Sequence, residues 1–171
     1  MTLTRAELTF KWSLYGLTAL LFFLIQGLFL RRLTFWGVMP FLYPLAAVIP
    51  ATYENSFSGI VFSLCAGMVC DWLLPGSVPC LHTLAFPLAG CIAGYISRRA
   101  LPAGLLCSLL AAGIVFALLG ALHCLHLAAI GRAAWTDAMW TQIREFLITL
   151  PWVLPVSFLF QCVKDRVRLM E

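Results

Sequence analysis

The run from Pro102 to Leu127, PAGLLCSLLAAGIVFALLGALHCLHL, decides the fold class. No Asp, Glu, Lys or Arg stands between Arg99 and Arg132. As a helix the run is long enough to cross the roughly 30 Å of hydrocarbon that requires about 20 apolar residues. A helix on the surface of a soluble domain keeps one charged face, and this one has none. Blocks of the same kind recur along the chain, and they predict spans at 12–30, 37–53, 57–74, 79–96, 102–127 and 146–163. The expectation is an all-α polytopic membrane helix bundle of about six transmembrane helices, forming one domain over 1–171. The longest predicted connector, 128–145, is far shorter than the roughly 50 residues of the smallest usual soluble domain.

Composition points the same way. Of 171 residues, 63% are hydrophobic and 11% charged, with a mean hydropathy of +0.98, against roughly 45–50% and about 25% in soluble domains. The net charge of +4 would raise nucleic acid as a partner in a soluble protein. Here the basic residues stand in connectors and tails, so the expected partner is the lipid bilayer and not nucleic acid. If the N-terminus is cytoplasmic, Arg5, Lys11, Arg98, Arg99, Lys164, Arg166 and Arg168 fall inside, and Arg31, Arg32, Arg132 and Arg144 outside. That excess favours two cytoplasmic termini. Arg5 and Lys11 precede an apolar run, as in a signal peptide. The run continues to Leu30 and ends in Arg31 and Arg32 with no small-residue cleavage site, so it reads as a retained span.

Within the spans, small and polar residues mark the faces that meet other helices. Gln26 is the strong polar group of the first span, suited to a hydrogen bond with a neighbouring helix or to a ligand. Pro40, Pro44 and Pro50 predict a kinked or broken second span, of the sort that in transporters often lines a site. Gly59, Ser63 and Gly67 recur at intervals of four and lead to Asp71, which places small residues and a carboxylate on one stripe. Two readings of Asp71 stand together. It is a polar contact inside a complex or a proton or ligand site, or it reaches the outer interface or accepts backbone donors at the start of the next helix. Pro75, Gly76, Ser77 and Pro79 read as a compact turn closing a hairpin, and Gly90 and Gly94 give the following span a small-residue face. His82 reads as a hydrogen-bonded interface residue. Trp135, Met139, Ile143 and Phe146 recur at near-helical spacing, which predicts a separate interfacial helix over 132–145.

Reactive constellations are missing from this pattern. His123, Cys124 and His126 do not by spacing make a tetrahedral set, and no metal or other cofactor is expected. The seven cysteines are scattered singly, mostly within apolar spans, and suggest no disulfide framework. No nucleophile stands beside a base, and no HExxH or phosphate-binding glycine loop is present. The expectation is a protein that is not an enzyme.

The sequence Gly67, Met68, Val69, Cys70, Asp71, with Gly59 before it, Gly76 in the turn and Gly90 and Gly94 beyond, resembles the bacterial rod shape-determining protein MreD family. Length and span layout are similar over most of the chain, and the informative part is 59–94. One departure is plain, since members often have glycine near the start of the second hairpin helix, where this chain has Pro79 and Cys80. The resemblance implies a scaffold or adaptor in the bacterial inner membrane. Its implied partners are MreC, through it the MreB filament, and peptidoglycan synthases, namely RodA with a class B penicillin-binding protein. On this reading Gly59, Ser63, Gly67, Asp71, Gly76, Gly90 and Gly94 are candidates for helix packing or partner contact. The alternative is the six-span substrate-binding component of an energy-coupling-factor vitamin transporter, similar to MreD in overall fold. Such components often carry small residues four apart in the first span, whereas here Gly16 is followed by Leu20 and Ala19 by Phe23.

Overall fold

A computed structural model describes residues 5–54, 56–74, 80–99, 104–131 and 135–168. Among them the chain is all-helical: α1 (Arg5–Leu28), α2 (Tyr43–Tyr53), α3 (Ser56–Leu73), α4 (Leu81–Arg99), α5 (Leu105–Ala129) and α6 (Trp135–Arg168), with one 3-10 turn at Leu30–Arg32. Three stretches, Leu8–Arg32, Leu105–Ala129 and Trp135–Val167, are long and apolar enough to cross a membrane. Large apolar side chains point outward around the bundle, including Leu17, Phe57, Trp72, Leu106 and Phe158. In water such a surface would aggregate, and in lipid it is the solvated face.

The shortest helix is the core. All of α2 from Tyr43 to Tyr53 is buried, and it touches each of the other five helices. Its sequence, YPLAAVIPATY, explains the placement. It carries no charge and mixes small with branched side chains, so helices can close around it on every side. Phe86, Val115, Val156 and Phe160 complete the buried cluster from α4, α5 and α6.

Two boundaries differ from the sequence expectation. The predicted span 37–53 is helical only from Tyr43, because Pro40 and Pro44 each lack the N–H that an earlier start would use. Before it, Phe35 and Val38 exchange backbone hydrogen bonds around a turn in which Trp36 and Gly37 have positive φ, and 39–42 enters the bundle without helical structure. The predicted interfacial helix at 132–145 does not stand apart from the last span, since Trp135–Arg168 is one helix of 34 residues. No glycine or proline falls between Trp135 and Leu150, so nothing ends the helix where the hydrophobic pattern changes.

The helices alternate in direction, which places both ends of the described chain at one end of the bundle. There Lys11 Nζ meets Glu54 Oε2 at 2.6 Å, and Ser97 Oγ donates to the Thr52 carbonyl at 2.6 Å. Ser157 Oγ lies 2.9 Å from both the Tyr53 hydroxyl and Ser108 Oγ, tying α6 to α2 and α5. The Lys164 ammonium sits over the Tyr53 ring at 5.4 Å. The opposite end holds the ends of α1, α3 and α5 and the starts of α2, α4 and α6.

Candidate functional site

At that opposite end the α3–α4 hairpin is locked by one carboxylate. The first N–H groups of any helix lack intrahelical acceptors and form the positive end of its dipole. Asp71, in the last turn of α3, supplies the acceptors for α4. Its Oδ1 accepts from the His82 backbone N–H at 3.1 Å and lies 2.8 Å from His82 Nδ1. Its Oδ2 accepts from the Thr83 N–H at 2.8 Å and from the Thr83 hydroxyl at 2.5 Å. All of the carboxylate's usual acceptor directions are therefore occupied.

The rest of the small-residue stripe faces the same way. A Cβ on Gly67 would lie 2.6 Å from the His82 carbonyl oxygen and 2.9 Å from Thr83 Cα, so only glycine lets the start of α4 reach Asp71. A Cβ on Gly59 would lie 2.7 Å from Ala51 Cα, and one on Gly90 2.6 Å from Ser63 Oγ. At Gly94 the nearest atoms are the Ala51 carbonyl oxygen and an Arg98 guanidinium nitrogen, both at 3.1 Å. Ser63 is fully buried, and its hydroxyl is 2.9 Å from both the Ala47 and Gly59 carbonyls. These residues form an internal seam between α2, α3 and α4. Gly76 lies outside the described residues.

Beside the hairpin, side chains satisfy the non-helical entry to α2. Gln26 Nε2 donates to the Pro40 carbonyl at 2.7 Å, and its Oε1 accepts from the Leu42 N–H at 3.0 Å. Thr149 Oγ1 accepts from the Phe41 N–H at 2.9 Å and donates to the Glu145 carbonyl at 2.6 Å. Backbone groups left bare in an apolar interior would each cost about 1–3 kcal/mol. Gln26 and Thr149 thus make a broken element tolerable inside the bundle.

A cavity of about 330 Å³ lies next to this entry, with His82, His123, Thr141, Gln142 and Glu145 among its walls and Phe41, Leu81 and Leu119 as apolar surface. Three helices, α4, α5 and α6, and the entry segment contribute to it. Glu145, Gln142 and Thr141 fall within the stretch read from sequence as a surface helix, and the signal that could have found them is the absence of a helix stop before Leu150. Of the trio at the end of α5, His123 alone lines the cavity. Cys124 Sγ lies 3.9 Å from the Trp135 carbonyl, and no group of three or more His, Cys, Asp or Glu among the described residues is arranged to hold a metal ion. Gln142 also borders an apolar groove of about 460 Å³ along Gly113, Ala117, Ala121 and Met139.

No protein-family model, curated protein or solved structure matches the chain.

Proposed function

We propose that the chain is a non-enzymatic scaffold of the bacterial cell-elongation machinery, similar to MreD, with six spans and both termini in the cytoplasm. On this reading it joins MreC, and through it the MreB filament, to RodA and its class B penicillin-binding protein. The observation that carries the proposal is the Asp71 lock on α4. The residues on which the resemblance rests, Gly67 and Asp71, are occupied in fixing one helical hairpin, which is the work of a scaffold and not of a reactive centre. Cys80 adds to this. It stands where members often carry glycine, and its φ of 60° is a backbone conformation that glycine adopts without cost. The basic residues at the terminal end of the bundle support its cytoplasmic placement by charge.

The test is removal of the chain from its own host. Loss of rod shape with displaced wall synthesis is the expected result, and unchanged cell width and length would contradict the proposal.

A second reading, the substrate-binding component of an energy-coupling-factor vitamin transporter, gains from the convergence of His82, His123, Gln142 and Glu145 on one cavity. A tagged chain that brought down a coupling subunit and its ATPases would favour it.

A further inference from the structure

The cavity beside Asp71 has a charge and hydrogen-bonding character that selects its occupant. Its volume of about 330 Å³ falls at the lower end of the roughly 300–1,000 Å³ usual for small-molecule sites. No Lys or Arg lines it, while Glu145 does. Among the described residues Glu145 has no ion-pair partner, and the neighbouring Arg144 guanidinium is instead placed over the Trp140 ring at 5.7 Å. A carboxylate withdrawn from water without a counter-ion favours a cation at its side. His82 also lines the cavity, its ring held in place by the 2.8 Å contact of Nδ1 with Asp71 Oδ1. Phe41 lines the same space, and an aromatic ring is a favourable neighbour for positive charge. Leu81 and Leu119 suit a carbon skeleton, and the lack of a metal-holding group among the described residues turns the choice from a bare ion to an organic one.

We infer that this cavity binds a compact organic ammonium ion, with Glu145 as its counter-ion and Phe41 against its charged end. The same chemistry is available from a free amine or from the headgroup of an aminolipid. The inference is independent of whether the chain is a scaffold or a transporter component.

Isothermal titration of the purified full-length chain with ethylammonium, choline and phenethylammonium tests it, with 2-phenylethanol and 3-phenylpropionate as neutral and anionic counterparts. At least one cation should bind, and phenethylammonium should bind at least tenfold more tightly than its two counterparts. Glu145→Gln should weaken cation binding at least tenfold, and Ala138→Phe, which fills the cavity from its wall, should abolish it. Should Glu145→Gln fail to fold, the charge comparison on the unaltered chain and the Ala138→Phe variant decide the matter. Absence of binding by all three cations, equal binding of the neutral or anionic counterparts, or unchanged affinity in a folded variant would overturn the inference. In nanodiscs, probe binding weaker in phosphatidylethanolamine than in an equally uncharged, amine-free glycolipid identifies an aminolipid headgroup as the competing occupant, and equal binding identifies a free amine.

Discussion

Asp71 Oδ2 accepts the Thr83 backbone N–H at 2.8 Å, so the last turn of α3 caps the first turn of α4 across the hairpin. The intervening chain need not hold the two helices together, because the carboxylate does so directly. Removing it strands donors that belong to both backbone and side chain. Asp71→Leu should destabilise the protein by about 2 kcal/mol, from the lost cap and the unpaired donors. Asp71→Asn, which keeps an acceptor, should cost less. Thermal unfolding of the detergent-solubilised protein checks this, with a fall of about 4–8 °C expected for the leucine variant and an unchanged midpoint contradicting it.

Glycines that look alike in sequence should respond oppositely to alanine. At Gly67 the new methyl would meet the His82 carbonyl at 2.6 Å, whereas at Gly113 nothing lies within 4 Å. Gly67→Ala should cost about 1–3 kcal/mol through overpacking against backbone. Gly113→Ala should gain up to about 1 kcal/mol from helix propensity. Parallel denaturation of the two variants measures the difference in sign, and equal effects would contradict the seam.

The entry to α2 depends on Gln26. Its amide serves the Pro40 carbonyl and the Leu42 N–H together, and the side chain is 6% exposed. Gln26→Leu should therefore cost about 3 kcal/mol, since two buried backbone groups lose partners worth about 1–3 kcal/mol each. An ionised Gln26→Glu sets a carboxylate oxygen against the Pro40 carbonyl where the amide donated, and should cost at least as much. The yield of monodisperse protein and its unfolding midpoint give the ranking.

Cys80 is exposed and takes a φ of 60°. Cys80→Gly should stabilise the chain by about 1 kcal/mol by removing the Cβ clash of the left-handed conformation, and Cys80→Val should destabilise it. The reverse order of unfolding midpoints would show that the turn has another geometry.

Much of this organisation was legible in local sequence. The spacing of Gly59, Ser63, Gly67 and Asp71 marks one face of α3, and Pro40 with Pro44 marks the interruption before α2, because both signals depend on neighbours within a few turns. Acceptance of backbone donors at the next helix start is one of the two readings that Asp71 allowed, and the hairpin is short enough in sequence to suggest it. The cavity was not legible. His82, His123 and Glu145 belong to three helices, and no period links them. Glu145 was also hidden by the change of hydrophobic pattern near Phe146, which reads as a boundary although no residue there ends a helix. The Tyr53, Ser108 and Ser157 contact has the same character, joining polar residues of three helices whose meeting depends on how α2 is enclosed.

The scaffold account is tested most directly by identifying what the chain holds in its membrane. A tagged chain expressed in a rod-shaped bacterium, extracted gently and analysed by mass spectrometry, should recover MreC with RodA or its penicillin-binding partner. Asp71→Leu should reduce that recovery relative to the unaltered chain. Recovery of a transporter coupling subunit with its ATPases, with MreC and the wall synthases absent, would contradict the account.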